Sequence, residues 1–195
     1  KILAFLSVLL LEGFFFYNFT TPEFNVNVCQ LPLWALSIYF TYRCIMFNKK
    51  LDYFFLGLFI GLGILTKYLF IYLVIGIKLL FLFYFFYYKK KKKLSFINFF
   101  ITGLVALLII TPHLIWLFDN NFVTVSYCLQ RAGESKSLIN HVINPLIFLG
   151  KQLVILIPIF LMSFFLIKKF KFNFNLKDKK LIFFVFTILI PIFLI

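Results

Sequence analysis

Acidic side chains are scarce in this chain. Six of its 195 residues are Asp or Glu against twenty Lys and Arg, and charged residues of both signs together make up 13%. Soluble domains carry roughly one-quarter charged residues, and 64% of this chain is hydrophobic, so no water-soluble core could absorb it. Cysteine is equally sparse: Cys29, Cys44 and Cys128 show no metal-ligand spacing and no disulfide framework. The eight glycines form no Gly-rich nucleotide loop, no Ser/His/Asp nucleophile constellation is present, and no segment repeats. The cysteines are thus uninformative, a Cys29–Cys128 disulfide being possible but unsupported, and nothing in the sequence points to a nucleotide-driven machine.

What is present is apolar and long. Stretches able to cross a hydrocarbon layer of roughly 30 Å as helices run over 2–17, 29–47, 51–67, 68–88, 94–117, 144–167 and 181–195. They predict an all-α polytopic bundle with about seven transmembrane helices, forming a single transmembrane domain over 1–195. The chain starts at Lys1 and Ile195 ends inside an apolar run, so the sequence reads as a fragment truncated at both ends.

The cations decide the orientation. A net charge of +14 is a common mark of nucleic-acid binding, but here the cations sit in short runs between apolar spans, which is the pattern of the positive-inside rule. Lys1, the group Arg43, Lys49 and Lys50, the run Lys89 to Lys93, and Lys168, Lys169, Lys171, Lys177, Lys179 and Lys180 hold fifteen of the twenty cations. Placing them in the cytoplasm is consistent with alternation of the spans from end to end. The cytoplasmic loops are then 48–50, 89–93 and 168–180, and the outer loops 18–28 and 118–143. The 32 phenylalanines accompany many Ile, Lys and Asn, residues with A/T-rich codons, and read as lipid-facing filler.

This orientation gathers the unusual polar residues on the outer face. The loop NFTTPEFNVN supplies Glu23, Asn25 and Asn27, a carboxylate and two amides that suit sugar hydroxyls or a cation; the same residue types suit a solvated turn capping the next helix. In GLFIGLGILTKY, Gly57, Gly61 and Gly63 leave a smooth face for close helix packing, and Lys67 follows them. A lysine there suits a phosphate as a point charge or snorkels to the interface. In TPHLIWLFDNNFVTVSYCLQRAG, Pro112 is expected to break the fifth span, His113 suits a metal, a proton or a structural hydrogen bond, and Trp116 suits the aromatic belt. Arg131 suits a bidentate phosphate clamp or a solvated loop. Glu12 and Lys78 lie inside spans, where ionisable residues pair or line a cavity.

The segments TPEFNVNVCQLPLWALSIYF, LDYFFLGLFIGLGILTKY, TPHLIWLFDNNFVTVSYCLQRAG and LINHVINPLIFLGKQLVILIPIF resemble, in that order, the family 39 glycosyltransferases, which include protein mannosyltransferases and aminoarabinose transferases. The resemblance covers about residues 18 to 167 and is carried best by the GLGILTKY turn and the Pro-His-Leu-Ile-Trp segment with its Asp-Asn-Phe loop. It implies a GT-C membrane glycosyltransferase of the cell inner (plasma) membrane. The active site would face the periplasm, take a hexosyl or pentosyl unit from a polyprenyl-phosphate donor, and pass it to a glycan, lipid or protein acceptor. It also implies a catalytic aspartate upstream of Lys1, acceptor or cation binding at Glu23 with Asn25 and Asn27, lipid-phosphate binding at Lys67 and Arg131, and a divalent metal held by His113. Nucleic acid is not an expected partner.

The rival readings are a multi-pass transporter or lipid flippase, which would expose polar groups at the midplane to both sides in turn, and a non-catalytic assembly subunit. Orientation is directly testable: in a variant lacking the native cysteines, Lys91→Cys is expected to react with an impermeant thiol reagent only from the cytoplasm. Labelling from outside would overturn the shared outer face.

Overall fold

A computed structural model describes residues 5–6, 8–9, 24–87, 96–132, 138–166 and 178–194. Among the described residues the regular structure is helical and no strand occurs. The chain divides into two compact units, Asn25–Asp119 with Phe174–Ile195, and Lys1–Phe24 with Asn120–Asn173. The first contains α1 (Val26–Phe47), α2 (Lys50–Thr66), a 3-10 turn (Tyr68–Phe70), α3 (Ile71–Tyr87) and α4 (Phe96–Asp119). The second contains α5 (Val123–Ala132) and α6 (Leu138–Leu166). The first unit closes with α7 (Lys179–Phe184), a π turn (Val185–Leu189) and α8 (Ile190–Leu194).

α1 starts where Asn25 caps it, its Oδ1 accepting from the N–H groups of Asn27 at 2.9 Å and Val28 at 3.2 Å. This satisfies donors that the first helical turn leaves open. The helix ends at Asn48, which takes the left-handed conformation (φ 52°, ψ 38°) and returns its N–H to the Cys44 carbonyl; asparagine tolerates that region better than other non-glycine residues. Lys49 is extended and α2 follows at once. The two helices thus form a hairpin whose turn is the expected cytoplasmic loop 48–50.

Polar side chains lock this end. Arg43 Nε donates to Asp52 Oδ1 at 2.7 Å, and Asp52 is 2% exposed while the Arg43 side chain is 34% exposed. The Arg43 guanidinium also lies over the rings of Tyr39, Phe40 and Phe47 at 5.7 to 5.9 Å. The Tyr53 hydroxyl donates to Asn48 Oδ1 at 3.0 Å. From α4, Asn98 Nδ2 reaches the same Oδ1 at 3.4 Å and Thr102 Oγ1 donates to the Tyr53 carbonyl at 3.0 Å. Three helix ends are therefore joined by hydrogen bonds, around a buried carboxylate that would be costly to leave unpaired.

Above this end α2 runs closely along α4. A Cβ added to Gly57 would stand 2.5 Å from the Thr102 carbonyl oxygen, and one on Gly61 would stand 2.9 Å from Ile109 Cβ. Helices in lipid associate through such close van der Waals contact rather than through a hydrophobic driving force. Of the glycine face expected from the sequence, Gly57 and Gly61 meet α4, whereas Gly63 lies against the Phe70 ring. The buried residues Leu56, Ile60, Phe70, Leu73, Ile77, Leu80 and Phe81 form the core between α2 and α3, and α3 packs its other side on the C-terminal segment, with Gly76 beneath Phe186 and Pro191.

Of the seven expected crossings, that over 2–17 lies almost wholly outside the described residues, and among the described residues three helical stretches are long and apolar enough to span: Tyr68–Tyr87, Ile97–Asp119 and Leu146–Phe164. Polar residues cluster in α1, and α2 is short, with 17 residues. Pro112 does not break the fifth span, because α4 continues to Asp119; on the preceding residue, the Thr111 hydroxyl donates to the Leu107 carbonyl at 2.7 Å. The stretch 118–143, expected as an outer loop, carries α5 and the start of α6. Phenylalanine is more than filler: Phe40 stacks on Phe55 and Phe59 between α1 and α2 at 5.1 and 5.4 Å, and Phe70 is fully buried.

Two stability measurements follow from these contacts. Gly61→Leu is expected to cost on the order of 1–3 kcal/mol by overpacking α2 against α4, read as a fall in the thermal unfolding midpoint in detergent; an unchanged midpoint would contradict the close approach. Arg43→Met is expected to destabilise more than Asp52→Asn, since the first strands a buried carboxylate and the second leaves a solvated guanidinium. The reverse order would mean that Asp52 does not depend on Arg43.

Candidate functional site

The end of the first unit opposite the Arg43–Asp52 pair carries a second polar group. α1 begins there with Asn25 and Asn27, α2 ends there at Thr66, and α4 brings His113 and Trp116. Lys67 is the link between α2 and the 3-10 turn. Its backbone is extended (φ −161°, ψ 130°), its N–H closes α2 on the Gly63 carbonyl at 3.2 Å, and its own carbonyl accepts from the Phe70 N–H at 3.0 Å. The turn is anchored from below by Phe70, which is fully buried and meets the edge of the Trp34 ring with centroids 5.5 Å apart.

Two consecutive side chains of this turn are tied to two different helices. Lys67 Nζ donates to Asn27 Oδ1 on α1 at 2.8 Å. The Tyr68 hydroxyl shares a 2.7 Å hydrogen bond with His113 Nε2 on α4, and the His113 ring lies nearly parallel to Trp116, 12° between planes and 5.9 Å between centroids. An ammonium has three donors. Among the described residues Asn27 takes one of them, and no carboxylate pairs with Lys67. The arrangement therefore presents a cation, held in place but not neutralised, beside an aromatic pair.

The residues singled out from the sequence fare unequally. Lys67, Asn27 and His113 come to this one end of the unit. Asn25 is there too, but its side-chain oxygen is engaged in capping α1. Glu23 lies outside the described residues, and Arg131 stands on α5 in the other unit, its side chain also outside them. His113 gives Nε2 to Tyr68, and among the described residues no three His, Cys, Asp or Glu side chains group as metal ligands; the residues described do not make up a metal site, and no step below runs through a metal. Lys78 lies near the middle of α3 and lines an otherwise apolar cavity of about 300 Å³ with Leu56, Ile60, Phe99 and Ala106, while Glu12 lies outside the described residues.

Sequence reasoning missed Tyr68 as the partner of His113. The only available signals were its position beside Lys67 and that of His113 after Pro112, and a separation of 45 residues has no periodicity to read. It also passed over Asp52, the buried carboxylate of the inner end.

Helices long and apolar enough to cross a membrane point to a membrane protein, and among the described residues its Lys67 end holds a cation that no carboxylate pairs. A family model described as dolichyl-phosphate-mannose-protein mannosyltransferase matches residues 1–116, a stretch that ends at Trp116 and includes Asn27, Lys67, Tyr68 and His113. The chain belongs to that family, and is accordingly a membrane glycosyltransferase. No curated protein and no solved structure matches it.

Proposed function

We propose that the protein is a GT-C glycosyltransferase that moves a sugar from a polyprenyl-phosphate donor to an acceptor hydroxyl at the outer face of the cell inner membrane, and that Lys67 binds the donor's phosphate. The observation that carries this reading is the ammonium of Lys67, held by Asn27 and paired with no carboxylate among the described residues, within a chain of this family. The family's description supports a mannosyl unit on a dolichyl-type lipid; a pentosyl unit remains within the same chemistry. A glycan, a lipid or a protein supplies the acceptor.

In the reaction the acceptor oxygen forms a bond to the anomeric carbon as the bond from that carbon to the phosphate oxygen breaks. The hydroxyl proton passes to a carboxylate, for which an aspartate upstream of Lys1 is the proposed base, and the bonding electrons leave with the lipid phosphate. Negative charge therefore grows on the leaving group. A cation already fixed beside that oxygen stabilises the developing charge without reorganising during the step. Lys67 suits this role because an ammonium is a point charge that accepts many phosphate orientations.

The outer placement of this site is supported by the cation distribution. Asn27, Lys67 and His113 lie at the end of the unit away from Arg43, Lys49 and Lys50, which the positive-inside rule assigns to the cytoplasm. α1 has 22 residues and α2 has 17, lengths of about 33 and 26 Å at 1.5 Å per residue, and both are proposed to cross beside the three more apolar spans. Glu23 is proposed to bind acceptor hydroxyls or a cation.

Lys67→Ala in the full-length protein is expected to reduce kcat/KM for a polyprenyl-phosphate-linked sugar by at least about tenfold, with membrane insertion unchanged. Wild-type kcat/KM in that variant would remove the phosphate role.

A further inference from the structure

Lys67 is a four-carbon chain on a short turn, and by itself such a side chain is a poorly defined anion site: ordering it on binding costs rotamer entropy, which subtracts from affinity. The structure places restraints on the turn from both flanking helices. Asn27 on α1 holds the ammonium, Phe70 is sunk into the core against Trp34, and the Tyr68 hydroxyl is bonded to His113 on α4. His113 is in turn flanked by the parallel ring of Trp116, and Tyr68 and His113 also face one another, their ring centroids 5.9 Å apart.

We propose that Tyr68 and His113 form a positioning pair: their hydrogen bond fixes the Lys67 turn against α4, so that the ammonium meets the phosphate of a polyprenyl monophosphate headgroup in one defined place. The inference rests on the phosphate-binding reading of Lys67. It gives His113 a role exercised through Tyr68 rather than by contact with the sugar or a metal. The geometry favours this over an accidental contact for two reasons. The bond is 2.7 Å long, at the short end of the range for such bonds. It also joins the residue immediately after Lys67 to a helix that otherwise meets α2 along the Gly57 and Gly61 face, so it is the tie that carries that packing up to the turn. Removing the bond frees the turn to pivot about Phe70, and a displacement of about 1 Å at a reacting group is enough to lower rates substantially.

A merely structural bond and a positioning bond differ in what they change. The test uses the full-length protein in detergent micelles and compares its affinity for polyprenyl monophosphate with its affinity for the corresponding polyprenol, which shares the tail and lacks the phosphate. Tyr68→Phe and His113→Ala are each expected to lower the phosphate-over-alcohol preference about tenfold, equivalent to about 1.4 kcal/mol, while polyprenol affinity and the unfolding midpoint stay at their wild-type values. The double variant is expected to match either single variant, because both remove the same bond. His113→Gln, whose amide can reach the position of Nε2, is expected to recover part of the preference.

A Tyr68→Phe protein with the wild-type preference would overturn the positioning role, as would additive losses in the double variant, or parallel losses for phosphate and alcohol, which mean a general structural defect. Tyr68→Phe removes a single oxygen and leaves the ring packing in place, so it reports even where His113→Ala fails to fold. Lys67→Ala separates the two levels of inference. If it keeps the preference, the phosphate reading itself fails; if it loses the preference while Tyr68→Phe keeps it, only the positioning pair fails.

Discussion

Both polar ends of the larger unit depend on how closely α2 can lie on α4. At Gly57 and Gly61 the absence of a side chain lets the backbone of one helix approach the other until a single methyl group would collide. With larger residues there, α4 would stand off by the width of a side chain. Thr102 and Asn98 would then lose Tyr53 and Asn48 at one end, and His113 would lose Tyr68 at the other. In a protein dissolved in lipid these polar groups have no water to fall back on, so one apolar contact in the middle sets the conditions for the hydrogen bonds on either side of it.

The two ends use their polarity differently. At the Arg43–Asp52 end a buried carboxylate is matched by a guanidinium, and hydroxyl and amide groups around it join α1, α2 and α4. Charge there is compensated, which suits a structural anchor. At the other end Lys67 is oriented by a neutral amide, and its charge is left to act outward. Family membership makes glycosyl transfer the reaction, and the proposed ligand of this cation is a donor lipid whose phosphate gains negative charge as the sugar departs.

Much of this was legible in the sequence because it follows from one-dimensional patterns. Helices, a membrane environment, the glycine face of α2 and the separation of Lys67 from the lysine-rich ends all come from composition, spacing or alternation. The hairpin turn at Asn48 fell where the charges put it. What was not legible depends on contacts between distant residues or on compensation within a helix. Tyr68 and His113 are joined only because α2 and α4 pack closely. Asp52 drew no reading from the sequence, because its partner Arg43 stands on the other arm of the hairpin and only the fold brings the two together. Pro112 has the usual meaning of a helix break, and α4 runs through it nonetheless, with Thr111 bonded back to the preceding turn. Phenylalanine misled for a compositional reason: codon bias explains its abundance but not which rings, such as Phe40, Phe59 and Phe70, are used in packing.

The claim on which the functional reading stands is direct contact between the Lys67 ammonium and the lipid phosphate. Nitrogen–phosphorus dipolar recoupling in solid-state NMR measures it without turnover, using the full-length protein in bilayers with isotope-labelled lysine and bound polyprenyl monophosphate. Contact predicts that phosphorus dephases the Lys67 side-chain nitrogen, the separation being set by a charge-assisted hydrogen bond of about 2.7–2.9 Å from nitrogen to oxygen. Saturating polyprenyl monophosphate that leaves the Lys67 nitrogen undephased would contradict it and place the phosphate elsewhere.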